Sequence, residues 1–173
     1  PADQDRQSGR AELNPTDRDI IGAALGRVAS GLFIVTIRHE EQVSAFLASW
    51  VQQASFEPLM ISVAVKEGRA AQGLLDAGAL FAINVLAKGD NANLRHFAKG
   101  FGTDEDPYAG FEVEEGATGV EILPGALAVL ECRARSSIVA GDHRIYLGEV
   151  MAGHLKADGG EPAIHLRKSA LSY

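Results

Sequence analysis

Alternating apolar and polar positions mark most of this chain as β-structure. Residues 59–65 are apolar at every second position, with Ser and Ala among the intervening ones, which is the period of a strand with one buried face. Apolar and β-branched runs predict further strands at residues 32–37, 43–51, 80–86, 126–139, 144–152 and 163–166. Turn-forming residues separate these runs, so each strand is expected to reverse direction at its end.

Three segments have helical patterns instead. In the first, apolar residues recur at helical spacing, with Thr16 as the expected N-cap and Gly31 as the expected stop. A short helix is predicted at about residues 68–77. A third helix is expected to be capped by Asp90 and to end at Gly100.

The order of these elements predicts one domain. Residues 17–173 carry the strands and helices, whereas the polar residues 1–16 are typical of a flexible arm or linker. Residues 101–119, rich in glycine and acidic side chains, are expected to form a surface loop. Most connections between strands are too short for a parallel crossover, so we predict a mainly β fold, an antiparallel barrel with peripheral helices.

Composition narrows the class of protein further. The 173 residues include 46% hydrophobic side chains, but no run approaches the roughly 18 apolar residues of a membrane span. A net charge of −7 argues against nucleic acid or an anionic membrane as the main partner. No export signal is visible, and the single cysteine fits a reducing, cytoplasmic setting.

Several kinds of chemistry lack their usual residue patterns. Neither a G-x-G-x-x-G turn after a strand nor a Walker-type loop is present. The five histidines are scattered and no paired cysteines occur, so no metal site is predicted. Cys132 shares a strand face with small apolar residues, so we expect it to fill the core rather than act as a nucleophile.

The most unusual stretch is residues 48–55. It places two hydroxyls, two amides and an indole close together, in the residues Ala48, Ser49, Trp50, Val51, Gln52, Gln53, Ala54 and Ser55. Such groups suit a ligand that is planar at one end and polyhydroxylated at the other. A polar edge strand whose tryptophan packs on the core explains them equally well.

Three single residues have the same two kinds of explanation. Arg69 at the start of the predicted short helix suits a phosphate dianion, or it is merely solvated. Asn84 lies in an apolar run and needs partners, either a ligand carbonyl or a neighbouring strand. His143, in a predicted hairpin tip, is either exposed and inert or a donor at the mouth of a barrel pocket. The basic residues after His165 either form a solvated tail or border an anion-binding cleft.

Short motifs along nearly the whole chain, from about residue 17 to residue 173, resemble the flavin reductase-like family of FMN-binding split barrels. In detail the chain is similar to the flavin reductase module at the C-terminus of flavodiiron proteins. The motifs that carry the resemblance are ALGR and GLFIVT near the first strand, LASWVQQASFEPL, FAINVL, YAG, LAVLEC, GDH and the final HLRK. Each motif is short, but their order and spacing match over the full length.

The resemblance implies a split antiparallel barrel and a homodimer with FMN near the subunit interface. It implies that residues 48–55 line the isoalloxazine and ribityl chain, that Arg69 lies near the phosphate, and that Asn84 and Val85 approach the ring. It also implies that His143 borders the nicotinamide position. Ser49-Trp50 and Gln52-Gln53 depart from the Asn-Ser and Thr-Ser pairs of many members, which leaves FAD as an alternative to FMN.

The predicted function is hydride transfer from NADH or NADPH to bound FMN, followed by electron delivery to an acceptor. That acceptor is free flavin, a monooxygenase or a di-iron partner. His143 is the candidate catalytic residue. Two alternatives stay open: an FMN-binding electron-transfer protein reduced by a partner protein, and a flavin-binding domain without turnover.

Overall fold

The computed structural model describes residues 13–156 and 159–171. The described residues divide into two compact units: residues 13–29 and 166–171 belong to one, and those within Ser30–His165 belong to the other. Most of the predicted arm, residues 1–12, lies outside the described residues. Its last two residues, Pro15 and Thr16, already belong to a helix.

The terminal unit contains helix α1 (Pro15–Leu25). The prediction of Thr16 as N-cap is wrong, because Asn14 accepts the hydrogen bond from the Asp17 N–H through Oδ1 at 2.9 Å. The helix also ends well before Gly31. Segment 166–171 lies against α1, where the Ala170 N–H donates to the Gly22 carbonyl at 2.9 Å. A Cβ on Gly22 would lie 2.6 Å from Leu171 Cγ, so the close approach requires glycine there.

The larger unit contains the remaining elements. In chain order they are β1 (Ser30–Gly31), β2 (Phe33–His39), β3 (Gln42–Ala48), β4 (Val51–Phe56), β5 (Leu59–Lys66), α2 (Ala71–Asp76), β6 (Leu80–Val85), α3 (Asn91–Ala98), β7 (Glu114–Glu115), β8 (Glu121–Ile122), β9 (Ala128–Ala140), β10 (His143–Leu155) and β11 (Ile164–His165). Asp90 caps α3 as predicted, accepting from the Asn93 N–H at 3.2 Å.

Seven strands form one antiparallel sheet in the order β3-β2-β6-β9-β10-β5-β4, and β1–β11 and β7–β8 are small separate pairs. The mainly β, antiparallel prediction is therefore confirmed. The predicted strand 43–51 is interrupted: β3 ends at Ala48, Ser49 and Trp50 lie outside any strand, and the edge strand β4 begins at Val51. The hairpin between β9 and β10 turns at Gly141, whose φ of +65° suits a tight two-residue loop.

The inner face of the sheet holds an apolar core. Phe46 on β3 and Val63 on β5 belong to the same cluster although their strands lie near opposite edges, so the sheet curls around it. Phe81 and Cys132 are buried in its middle. Cys132 is fully buried in this cluster, which confirms that it fills the core, and its burial raises the pKa of the thiol to about 12.

A second core lies on the outer face of β2, β6 and β9. Phe97 of α3 and several residues of segment 101–127 pack there against Ile34, Ala82 and Val129. The prediction of a surface loop at residues 101–119 is therefore wrong in part. Tyr108 is buried within that segment and fastens it to the sheet, while the acidic residues around it remain exposed.

Candidate functional site

One end of the sheet brings together three of the predicted site regions. His143, the first residue of β10, pairs with Lys66, the last residue of β5. The turn that leads from β5 to α2 begins there, and the Glu67 N–H donates to the Asp142 carbonyl at 3.0 Å. On the other side of β5, the Ala64 N–H donates to the Trp50 carbonyl at 3.0 Å. The regions of Trp50, His143 and Arg69 therefore meet at this end.

His143 packs against the only tryptophan of the chain. The ring centroids of His143 and Trp50 lie 4.7 Å apart with an interplanar angle of 46°. His143 is 6% exposed, so an exposed, inert histidine in the hairpin tip is excluded. Its Nδ1 lies 2.8 Å from Asp142 Oδ1, and this hydrogen bond holds the pKa of the Asp142 carboxyl below its usual range.

Residues 48–55 divide between core, an irregular link and edge strand. Ala48 is buried in the inner core, and Ser49 and Trp50 link β3 to β4. Val51 packs on the inner core, whereas Gln52 and Gln53 are exposed on β4 and Ser55 is half-buried. The polar edge strand is thus confirmed, but Trp50 is 38% exposed and is not buried in the core as that interpretation expected. Contact between these residues and a flavin stays a prediction.

Arg69 lies in a braced turn rather than in a helix. Helix α2 begins at Ala71, later than predicted, so Arg69 precedes it. The buried side chain of Gln72 accepts from the Gly68 N–H at 2.7 Å and donates to Glu67 Oε2 at 3.1 Å. Arg144 Nε donates to Glu67 Oε1 at 3.2 Å. These hydrogen bonds fix the backbone of the turn that carries Arg69.

The guanidinium of Arg69 borders a cleft of about 690 Å³, which we call the basic cleft. Its Cζ lies 5.9 Å from the centre of the Phe46 ring, and a Cβ on Gly100 would be 4.0 Å from its Nη1. Lys99, which follows α3, lines the same cleft, with Nζ 5.3 Å from the centre of the Phe101 ring. The volume falls within the roughly 300–1,000 Å³ range of small-molecule sites, and two cations suit a phosphate.

A second cleft, of about 600 Å³, adjoins the first. The two share the lining residues Ser44, Ala70, Gly102, Thr103 and Glu105. Glu41, Asp104 and Asp106 add three carboxylates to that of Glu105, and neither lysine nor arginine lines this part. We call it the acidic cleft.

Segment 101–111 forms a wall of both clefts and is fixed at three points. His96 stacks on Phe111 with centroids 3.9 Å apart, and its Nε2–H donates to the Pro107 carbonyl at 2.8 Å. The Tyr108 hydroxyl donates to the Ser44 carbonyl at 3.3 Å. Aromatic and polar contacts to α3 and β3 therefore hold the wall in place.

Asn84 and Val85 lie on β6, away from both clefts. The fully buried amide of Asn84 donates to the Ile34 carbonyl at 3.0 Å and to Thr36 Oγ1 at 3.2 Å. It accepts from the Leu123 N–H at 2.8 Å. Of the two explanations of Asn84, the structure shows the one in which neighbouring protein segments satisfy the side chain. Val85 is half-buried and pairs with Phe33 and Ala128.

Several groups of the clefts were not predicted from the sequence. Lys99 went unnoticed because a lysine at the end of a helix is commonplace. Phe46 was expected only as a strand residue, and Glu41 and Asp104 only as loop residues. One signal for Lys99 was available in the sequence. It is a positive charge two residues before Phe101, at the start of a segment that packs back on the sheet.

The basic residues near the C-terminus divide between the two units. His165 pairs with Ser30 in β11, whereas Arg167 belongs to the terminal unit, where its N–H donates to the Gly26 carbonyl at 3.3 Å. Among the described residues, no group of three or more His, Cys, Asp or Glu side chains is arranged to hold a metal ion. Within the same residues, no helix is long and apolar enough to cross a membrane.

The family model of the flavin reductase like domain matches residues 25–172. The chain belongs to the flavin reductase-like family. The match covers the seven-stranded sheet, both cores and both clefts, and it confirms the resemblance seen in the sequence.

Relatives and solved structures agree with this assignment. Diflavin flavoprotein A 1 of Synechocystis is 39% identical over 158 residues, which are 91% of this chain and 27% of that protein. The flavin reductase-like chain thus spans about a quarter of the length of this relative. The NADH:FAD oxidoreductase SgcE6 of Streptomyces globisporus C-1027 superposes with a TM-score of 0.79 at 27% identity, covering 91% of this chain and 93% of that one.

A third similar structure is that of a protein named for FMN binding and not for an enzymatic activity. The FMN-binding protein of Thermus thermophilus superposes with a TM-score of 0.70 at 25% identity, covering 88% of this chain and 83% of that one. The fold is therefore the one found in these two proteins, and the chain is a flavin reductase-like domain by family and by structure.

Proposed function

We propose that this domain binds FMN, accepts hydride from NADH or NADPH and passes the electrons to an acceptor. The acceptor is free flavin, a monooxygenase or a di-iron partner. When bound, the flavin supplies the ring that accepts hydride and releases electrons. The observation that carries the proposal is the basic cleft with Arg69 and Lys99 in a member of the flavin reductase-like family.

The protein's first task in this proposal is to hold the phosphate. Arg69 offers planar paired donors and Lys99 a second positive charge, and charge-assisted hydrogen bonds to phosphate are among the stronger ones in proteins. The Glu67–Gln72–Arg144 bonds keep the Arg69 turn in one conformation, so less freedom is lost when the phosphate binds.

Its second task is to orient the ring. We propose that Ser49, Trp50 and the polar side chains of β4 lie along the isoalloxazine and ribityl chain of the flavin. The Trp50–His143 pair would border the nicotinamide position, and Asp142 holds the His143 ring in orientation through Nδ1. We also propose that Asn84 and Val85 lie near the ring, with the side chain of Asn84 held by its bonds to the Ile34 carbonyl and the Leu123 N–H.

Two relatives support separate parts of the proposal. SgcE6 is named an NADH:FAD oxidoreductase and has been solved in complex with NAD and FAD fragments. The Thermus protein is named for FMN. A nicotinamide donor and a flavin cofactor thus both occur among proteins with this fold.

An electron-transfer role is the second candidate. The curated relatives carry this domain within proteins about four times its length, so a neighbouring domain could supply electrons in place of a nicotinamide nucleotide. Reduction of the isolated domain by NADH distinguishes the two, because only the reductase responds without another protein present.

We also propose a homodimer in a cytoplasmic setting. Ile138 and Val139, near the end of the β9–β10 hairpin, are 60% and 67% exposed, and a second copy would cover them. The single cysteine fits a reducing compartment. Light scattering on the purified chain measures its mass directly, and a monomer at all concentrations contradicts the dimer.

The phosphate assignment is tested by comparing FMN with riboflavin, which lacks the phosphate. Arg69→Ala should weaken FMN binding by roughly 1.5–3 kcal/mol, the loss of a charged hydrogen bond. Riboflavin binding should stay the same. Lys88→Ala is the control, since Lys88 pairs with Glu161 and does not line the basic cleft. Equal losses for FMN and riboflavin would remove Arg69 from the phosphate site.

A further inference from the structure

The two adjoining clefts form one groove whose charge changes sign along its length. The basic cleft carries Arg69 and Lys99 against the single carboxylate of Glu105. The acidic cleft carries Glu41, Asp104, Glu105 and Asp106, with His39 at its margin. Five shared lining residues join the two parts.

Hydrogen bonds within the wall hold two of these carboxylates, those of Glu105 and Asp106. Glu105 Oε2 accepts from the Gly102 N–H at 3.1 Å, and Asp106 Oδ1 accepts from the Tyr108 N–H at 2.9 Å. Tyr108 in turn is anchored to Ser44 on β3. Glu105 and Asp106 are thus held by hydrogen bonds within the wall, and Glu41 faces the same cleft from the turn between β2 and β3.

We propose that the acidic cleft makes this site selective for FMN over FAD. The inference rests on the proposed function, since it takes the flavin phosphate to lie between Arg69 and Lys99. FAD carries a second phosphate and an adenosine beyond that point. Where the added phosphate enters the adjoining cleft it meets carboxylates and no lysine or arginine, and like charges at short range oppose its binding.

The same electrostatics predicts how selectivity responds to salt. Charges exposed to solvent are screened over about 8 Å at physiological ionic strength and over about 3 Å at 1 M. The preference for FMN over FAD should therefore shrink as salt rises. A preference set by shape alone would not change in this way.

Two carboxylates of the acidic cleft allow a clean test. Glu41→Gln and Asp104→Asn, combined in one variant, remove two negative charges with little change of shape. The control combines Glu40→Gln and Glu112→Gln, which remove the same charge from exposed positions outside both clefts. Glu40 is the immediate neighbour of Glu41 in the same turn, so the pair is matched in position.

FMN, FAD and riboflavin are titrated onto each flavin-free protein, with flavin fluorescence as the readout. We expect the wild type to bind FMN more tightly than FAD. The acidic-cleft variant should bind FAD roughly three- to tenfold more tightly, with FMN changed by less than about twofold. The control should change neither affinity by more than about twofold.

Two results would overturn the inference while leaving flavin binding intact. One is a wild type that binds FAD as tightly as FMN at low salt. The other is an acidic-cleft variant whose ratio of FMN to FAD affinity equals that of the control. If no flavin binds to any of the proteins, the proposed function itself fails, and the inference fails with it.

Discussion

The two faces of the sheet are packed by different means. The inner core is almost entirely apolar, and where Tyr146 contributes to it the hydroxyl reaches out to Asp76 at 2.9 Å. The outer core also has apolar members, but polar side chains fasten the irregular segments to it. Asn84 holds the segment that contains Leu123, and Glu131 holds the one that contains Thr118.

Because of this difference, we expect the inner core to determine the stability of the larger unit and the outer layer to determine the geometry of the groove. The inner core unites the strands, so loss of its packing should unfold the larger unit as a whole. The polar contacts of the outer layer hold the segments that follow α3, one of which forms the wall of the groove. Changes there should alter the wall and its neighbours before they unfold the sheet.

The largest effect is expected in the inner core. Phe81 is almost fully buried, and Gly148 makes room for it, since a Cβ there would lie 2.3 Å from Phe81 Cζ. Phe81→Ala should lower the free energy of unfolding by about 3–5 kcal/mol, measured by urea denaturation. Phe56→Ala, at a phenylalanine that is 85% exposed, should change it by less than about 0.5 kcal/mol. Similar losses in both variants would contradict the assigned inner core.

The same contrast explains which parts of the fold could be predicted from the sequence. Strands β5, β9 and β10 are long, with 8, 13 and 13 residues, and β6 is an almost uninterrupted apolar run, so their sequence patterns mark them. A polar edge strand was foreseen at residues 48–55, but the break between β3 and β4 was not, because Trp50 and Val51 continue the apolar run of β3. Burial of Tyr108 was missed because one anchoring side chain in an acidic run leaves no periodic pattern.

The site was less predictable than the fold for a related reason. Arg69 could be singled out because it follows a strand and a glycine. Its partners Phe46 and Lys99 are distant in sequence, and only the tertiary fold brings them to one cleft. The contact between Trp50 and His143 likewise depends on how β4 and β10 lie on either side of β5.

A smaller effect is expected at Asn84. Asn84→Ala removes the acceptor of the Leu123 N–H and the donor to the Ile34 carbonyl, both buried, so stability should fall by about 1–3 kcal/mol. Hydrogen exchange should rise first around Leu123, ahead of the inner strands. Asn91→Ala, at an exposed position on α3, is the control. If hydrogen exchange rises equally around Leu123 and in the inner strands, the inner core and the outer layer do not open separately.

The smallest of the three effects concerns Glu131 and depends on pH. Burial raises the pKa of this carboxyl, but hydrogen bonds from the Thr118 hydroxyl and amide and from the Ala117 amide outweigh burial and lower it. The stabilisation is therefore complete above the ordinary glutamate pKa of about 4.3 and is lost as pH falls through the lowered value.

Glu131→Gln should cost about 1–2 kcal/mol at neutral pH, because an amide replaces the acceptor of three hydrogen bonds. Thermal unfolding across the acid range should show the wild type and the variant converging as pH falls. Glu115→Gln, at an exposed site, should show the same dependence of the unfolding temperature on pH as the wild type. If the unfolding temperatures of Glu131→Gln and the wild type differ by the same amount at every pH, Glu131 is not ionised in the folded protein as we assign it.

The central claim, that this flavin reductase-like domain reduces FMN with a nicotinamide nucleotide, is tested most directly by an anaerobic titration of the FMN-loaded chain. We predict that NADH or NADPH bleaches the visible absorbance of the bound flavin, one nucleotide oxidised for each flavin reduced. Dithionite added afterwards marks the fully reduced level. Bound flavin that stays oxidised with both nucleotides, yet bleaches with dithionite, would contradict the reductase assignment and favour reduction by a partner protein.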